Sequence, residues 1–183
     1  VTRYSGVVMI CVGLMCLSPL LIDLIYFEFN YSCFIIPGVF SVILGYICMK
    51  TLDKYSRSKM KLKHGMMISS IAWMWACIVG GVVISLATGT DFLNGIFEST
   101  SALTGTGITM FDNVEILPHS ILFFRAFEQW VGGLGVVVMV IGVLTRPGTA
   151  TTKLYQSEAR EERLKPSVKT TLKKTIEIYL IYT

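Results

Sequence analysis

The stretch Phe97-Glu98-Ser99-Thr100-Ser101-Ala102-Leu103-Thr104-Gly105-Thr106-Gly107-Ile108-Thr109 holds the residue types with the clearest chemistry in this chain. Its second half is small and rich in hydroxyls, with glycine at alternate positions, and residues 99–111 carry no charged side chain. Whatever such a segment binds, it binds with neutral oxygens. Successive backbone carbonyls can replace the hydration shell of a cation when they are turned toward one axis. Glycine at Gly105 and Gly107 permits the backbone angles this requires, and the hydroxyls of Thr104 and Thr106 add further oxygens. The bland alternative is an ordinary flexible turn, and T-x-T-G alone does not separate the two. The flanking elements do.

Residues 91–102 are mildly apolar and, as a helix, would be about 18 Å long. That is too short to cross a hydrocarbon core of about 30 Å, yet the segment is too apolar for a free loop. It suits a half-membrane helix with Thr90 or Asp91 as its N-cap. Entering from outside, such a helix would point the negative end of its dipole at the glycine stretch, favouring a cation there. Non-helical backbone at membrane depth is tolerated only where it is buried in protein or lines water. The order full helix, half helix, glycine loop, full helix therefore favours an ion-coordinating loop over a simple turn.

The rest of the chain supplies those full helices. Apolar residues make up 53%, charged residues 15%, and the mean hydropathy is +0.64, against about a quarter charged in a soluble domain. Residues 7–27, 31–49 and 65–90 are apolar runs interrupted only by Asp23, and residues 120–144 form a fourth run interrupted by Arg125 and Glu128. Each matches the roughly 20 residues of a membrane helix, so four crossings are expected. The first is retained as a membrane helix because it is longer than a signal-peptide core and lacks a small-x-small cleavage site. Basic residues crowd into two stretches, one from Lys50 to Lys63 and one from Arg146 to Lys174. Two crossings separate them, so both fall on one side, which the positive-inside rule makes cytoplasmic together with the N-terminus. Flanking membrane spans as they do, they read as topology signals, and nucleic-acid binding is set aside. Cys11, Cys16, Cys33, Cys48 and Cys77 form no C-x-x-C and have no histidine at ligand spacing, which argues against zinc and structural disulfides. No nucleophile–base–acid set points to an enzyme, and no cofactor is called for.

Residues 97–109 resemble the first pore loop of the Trk/Ktr/HKT superfamily of potassium transporters, whose pattern is roughly F-E-x-x-S-x-F-T-T-T-G-A-T. Phe124-Arg125-Ala126-Phe127-Glu128-Gln129-Trp130-Val131-Gly132-Gly133-Leu134-Gly135 is similar to that family's R-x-x-x-Q-W-x-G-G-x-G helix, and the segments 153–158, 164–166 and 178–182 to its linker into a second repeat. The resemblance implies an all-α membrane protein, a helical hairpin followed by one helix–re-entrant pore loop–helix repeat of a potassium-channel-like fold. It divides the chain into a helix pair (1–50), a basic cytoplasmic loop (51–64), a first repeat (65–145, pore helix 91–102, filter 104–109), a cytoplasmic linker (146–174) and the start of a second repeat (175–183).

By the same resemblance, Thr104, Gly105, Thr106, Gly107 and Ile108 would line the filter and bind the transported potassium ion through backbone carbonyls. Gly107 falls at the glycine the family shares with potassium channels. Serine there goes with sodium transport in plant-type relatives, so glycine favours potassium. Gly105 departs from the usual non-glycine residue. The implied setting is the plasma (inner) membrane. The implied partners are the lipid bilayer, the remaining repeats of the same polypeptide, a second copy in a homodimer, and a cytosolic nucleotide-binding regulatory subunit of the TrkA/KtrA kind. The rival readings are a tetrameric channel with one repeat per chain and a structural or assembly subunit.

Three ionisable residues are candidate supports for the filter. Glu98 on the half helix would either sense ions or bond to the filter's backbone amides. Arg125 and Glu128, three apart on the fourth helix, share a face and read either as an electrostatic element near the outer pore or, more plainly, as a structural salt bridge near the outer interface. Gly132, Gly133 and Gly135 read as close-packing sites, Asp23 as interfacial, and His64 and His119 as residues without a site. The last apolar run, Ile176 to Thr183, holds only eight residues, and Val1 is not a methionine, so a fragment of a longer protein is expected.

Overall fold

A computed structural model describes residues 2–52, 62–144 and 168–182. Every regular element among them is helical: α1 Thr2–Leu17, α2 Leu20–Tyr26, α3 Tyr31–Leu52, α4 Leu62–Thr88, α5 Phe92–Thr104, α6 His119–Leu144 and α7 Val168–Tyr182, with a 3-10 turn at Val114–Ile116 before α6. They fall into two compact units, Val1–Trp130 and Val131–Thr183. Most of the basic stretches assigned to cytoplasmic loops lies outside the described residues.

Among the described residues three segments, Arg3–Tyr26, Tyr31–Lys50 and His64–Thr88, are long and apolar enough to cross a membrane. The chain is an all-α membrane protein. At 26 residues α6, the fourth expected crossing, is about 39 Å long. The first segment is not one helix. It breaks at Ser18-Pro19, because proline lacks the N–H that would continue the ladder and its ring crowds the preceding turn. Ser18 Oγ donates to the Met15 carbonyl at 2.8 Å, which occupies one of the acceptors left at the break.

The helix pair turns over in a few residues. Phe27 and Phe29 both take left-handed backbone angles, with φ of 54° and 56°, which bulky residues adopt only when the surroundings hold them there. Asp23 does the holding. Its main-chain carbonyl accepts from Phe27 and Glu28 N–H, and its Oδ1 accepts from Asn30 N–H at 3.0 Å. Expected at the interface, Asp23 is 4% exposed within the protein and acts as the clasp of the hairpin.

Along the hairpin α1 and α3 lie nearly in backbone contact. A Cβ placed on Gly13 would stand 2.6 Å from the Gly38 carbonyl, and one on Gly6 would stand 2.7 Å from that of Gly45. Apolar helices gain little from hydrophobicity inside lipid, so association depends on such close packing and on hydrogen bonds between helices. Both are present. Ser41 Oγ, fully buried, donates to the Met9 carbonyl at 2.7 Å and accepts from Trp75 Nε1 at 2.8 Å, joining α1, α3 and α4 through one hydroxyl. In the second unit, the Tyr179 hydroxyl of α7 lies against Gly133 of α6, where a Cβ would come within 2.7 Å of it.

Replacing Gly13 with leucine should force α1 from α3, at the cost of about 1–3 kcal/mol typical of overpacking. Thermal unfolding of the detergent-solubilised protein should shift down by several degrees relative to Leu14→Ala, which alters an exposed neighbour. Equal melting of the two variants would contradict the packing described.

Candidate functional site

The glycine stretch hangs from a tight reversal between α4 and α5. Gly89 takes φ of +69° and donates to the Ser85 carbonyl at 2.9 Å, while Ser85 Oγ donates to the Thr90 carbonyl at 2.8 Å. Asp91 occupies the N-cap position of α5, as one of two expected candidates, but its side chain makes no capping bond. The descending α5 then presses on α4 with almost no side chain between. A Cβ on Gly81 would stand 2.8 Å from the Ile96 backbone, and one on Gly95 would overlap the Gly81 carbonyl.

Expected to end at Ala102, α5 continues to Thr104. Gly105 ends it in the left-handed region, with φ of 71°. Its N–H donates to Ala102 O, and Thr106 N–H donates to Ser101 O, each at 3.0 Å. This paired return is a Schellman motif. Thr104, placed in the filter by its sequence, is thus the last helical residue. Its hydroxyl turns back to the Thr100 carbonyl at 2.8 Å and meets Thr106 Oγ1 at 2.8 Å. Gly107 is again left-handed, with φ of 74°. A Cβ at either glycine would touch nothing within 4 Å, so backbone angle alone, not space, calls for glycine there.

Past the glycines the chain runs back beside α5. Ser101 Oγ donates to the Ile108 carbonyl. Thr109 Oγ1 donates to Glu98 Oε1 at 2.7 Å, and Met110 N–H donates to the same oxygen. Helix and returning strand therefore form one closed hairpin. Its tip, Thr104, Gly105, Thr106, Gly107 and Ile108, is exposed throughout. Among the described residues the carbonyls of Gly105, Thr106 and Gly107 accept no hydrogen bond. The Ile108 carbonyl differs, since Ser101 already holds it.

Behind the hairpin lie the ionisable residues. Glu98 is fully buried, and its Oε2 pairs with Arg125 Nη2 at 2.7 Å. The guanidinium lies over the Phe111 ring, 5.9 Å from its centroid. Glu128, also fully buried, accepts from Ser99 Oγ at 2.7 Å. The salt bridge expected between Arg125 and Glu128 is thus replaced by two separate contacts, each running from α6 to α5. Sequence proximity on a helix favoured the wrong partner, because α5 brings a carboxylate and a hydroxyl on adjacent residues to the same face of α6.

Residues 35–183 match the family model described as TrkH, cation transport protein. The chain belongs to the TrkH family. It is 41% identical over 181 residues to an uncharacterised cation transporter of Methanocaldococcus jannaschii, a match covering 98% of this chain and 37% of that protein. It is 28% identical over 190 residues to the Trk system potassium uptake protein TrkH of Halomonas elongata, covering 100% of this chain and 39% of that protein. The crystal structure of the potassium transporter TrkH from Vibrio parahaemolyticus superposes with a TM-score of 0.79 at 26% identity, over 98% of this chain and 36% of that one. The chain therefore spans about two fifths of the length of the TrkH relatives it matches.

One polar cluster of this TrkH-family chain gave no sequence signal. Glu28, in the turn between α2 and α3, caps α6 from 91 residues away. It accepts from His119 N–H at 2.6 Å and Nδ1 at 2.8 Å, and from Ser120 N–H at 3.0 Å and Oγ at 2.6 Å. The Tyr26 ring stacks on His119 at 4.2 Å between centroids. The free N–H groups at a helix start attract a carboxylate, but only the fold could say which one. Burial alone would raise the Glu28 carboxyl, yet the bonds from Ser120 and His119 outweigh it and lower the pKa from 4.5 to about 2.

A carboxyl lowered in this way stabilises the fold fully above its unfolded pKa and loses that contribution as pH falls toward the folded one. The gap in melting temperature between the wild type and Glu28→Gln should be constant above about pH 5 and should narrow from pH 4.5 to about 2. A gap independent of pH across that window would show that the carboxylate does not carry the cap.

Proposed function

We propose that this chain forms part of a potassium-uptake pore in which the hairpin tip at residues 104–108 is one segment of the selectivity filter. The observation that carries this reading is the exposed, uncharged strip of free carbonyls at Gly105, Thr106 and Gly107, held by two left-handed glycines. A potassium ion stripped of water would meet these oxygens, with the C-terminal dipole of α5 adding negative potential. The carbonyls need not move to meet the ion, because the Schellman turn and the Glu98 anchor fix both sides of the tip. The names of the curated relatives, potassium uptake proteins among them, support the choice of ion.

One hairpin cannot encircle an ion. The reading therefore includes three further repeats of the same polypeptide around a common axis, a homodimer, and a cytosolic nucleotide-binding regulatory subunit that gates it. The protein would sit in the plasma membrane with its N-terminus and both basic stretches in the cytoplasm. Residues 1–50 would form the initial helix pair, 65–145 the first repeat, and 175–183 the opening of the second. The tip would then lie partway into the bilayer, reached from the outer side.

Two substitutions in the full-length protein test the reading. Gly107→Ser clashes with nothing but must hold φ of 74°, a strain of order 1–3 kcal/mol. Discrimination of potassium over sodium in uptake assays should drop about tenfold or more. Unchanged discrimination would remove the filter assignment. Glu98→Gln leaves the half-buried Arg125 beside a neutral amide, a loss below the roughly 3–5 kcal/mol of a fully buried pair. Uptake should fall sharply, and Glu98→Asp should fail to restore it, because the shorter acid cannot reach both the returning strand and the guanidinium. Normal uptake by Glu98→Gln would show that the ion pair does not shape the tip.

A further inference from the structure

We propose that Glu128 works as a neutral carboxylic acid that positions the pore helix through Ser99, and that it does not bind the transported ion. This deepens the pore reading and rests on it. Glu128 is fully enclosed. Its Oε1 accepts from Ser99 Oγ at 2.7 Å, whereas its Oε2 has no hydrogen-bond partner among the described residues. The one guanidinium nearby is committed elsewhere. Arg125 Nη2 pairs with Glu98, and its Nε, also without a hydrogen-bond partner, does not meet the free Glu128 oxygen.

The enclosure comes from this chain's own helices. From α4, Gly80 comes so close that a Cβ there would overlap both Glu128 Oε1 and Ser99 Oγ, and Cys77 lies within electrostatic reach. From α1, Cys16 does the same, and from α3, Phe34 meets Phe124 one turn earlier on α6. From α5 come Ser99 and, bound to Arg125, Glu98. The groups placed against Glu128 are thus one hydroxyl and a glycine backbone, with two thiols farther off and a guanidinium already paired. An ionised Glu128 would give two buried carboxylates one cation between them, and a buried charge without its own partner is strongly disfavoured. Among the described residues, Glu128 makes no ion pair of its own, since the Arg125 guanidinium pairs with Glu98.

The neutral acid has a mechanical use. Ser99 lies next to Glu98 and one half-turn before Ser101, whose hydroxyl and carbonyl both hold the glycine turn. Glu98 ties the returning strand to α5. Glu128 sets the rotation of α5 about its own axis, and with it the direction of the tip carbonyls.

The test uses the full-length protein in proteoliposomes with Glu128→Gln, Glu128→Asp and Glu128→Ala. Glutamine keeps a neutral acceptor of the same length for Ser99, so Glu128→Gln should retain the potassium-over-sodium ratio of the wild type. Alanine and aspartate leave the Ser99 hydroxyl unmet, and the ratio should fall about tenfold in each. Infrared spectra at neutral pH should show a protonated-carboxyl carbonyl stretch in the wild type that is lost in Glu128→Gln. Absence of that band, or a Glu128→Gln protein as impaired as Glu128→Ala, would overturn the proposal and make Glu128 a working anion. Failure of the pore reading is distinct. It appears as no potassium uptake by the wild type, and the infrared band together with the melting temperatures of the three variants then still decides the state and positioning role of Glu128.

Discussion

Everything at the candidate site depends on one buried carboxylate. Glu98 accepts from Thr109 Oγ1 and Met110 N–H on one oxygen and forms an ion pair with the Arg125 guanidinium through the other. The first pair of contacts folds the returning strand onto α5, and the second nails α5 to α6. Without that carboxylate the segment after Gly107 would lose its anchor to the middle of α5, leaving the Ile108 carbonyl on Ser101 as its remaining tie. A carboxylate suits the task because a single side chain presents several acceptor sites, enough for a hydroxyl, an amide and a cation together. Its own burial is tolerable only because that cation is present.

The anchor explains why the tip can be left unsatisfied. Backbone carbonyls without partners are costly when sealed from water. Those of Gly105, Thr106 and Gly107 are exposed, so water or an ion can meet them, while the buried Glu98 anchors the returning segment away from them. Neutral oxygens therefore face outward and charges face inward. Had the charges been at the tip, they would hold a cation too tightly to release it, whereas conduction needs sites weak enough to leave. On the proposed function, the separation of charge from carbonyl is what lets one hairpin be both rigid and permissive.

The parts legible in the sequence are those governed by local rules. Long apolar runs marked the helices, and the half-length of residues 91–102 together with alternate glycines pointed to a half helix and re-entrant loop rather than a simple turn. The end of α5 was misread by two residues because a Schellman turn at Gly105 looks, in sequence, like the first residues of an extended filter. Pro19 was a breaker in plain view inside an otherwise apolar run. The partner of Arg125 was a different kind of error. Helical spacing offered Glu128 three residues away, while Glu98 lies 27 residues back and becomes adjacent only because Gly80, Gly81 and Gly95 let α4 and α5 close up. Glu28 and His119 carried no signal, since their contact is a consequence of the fold with no local pattern behind it.

That contact also gives the N-terminal helix pair a physical role. The pair is clamped to the rest of the first unit at two levels, by Glu28 on the start of α6 and by Ser41 on Trp75 of α4. Those two helices flank the hairpin and carry its buried contacts, with Gly80 and Gly81 on α4, and Arg125 and Glu128 on α6. In lipid, where apolar surface gives helices little reason to associate, each clamp is a polar contact on an otherwise apolar bundle. The α1–α3 pair, zipped along its glycines, is therefore a brace across the backs of α4 and α6. It ties together the two helices that carry the buried contacts to α5.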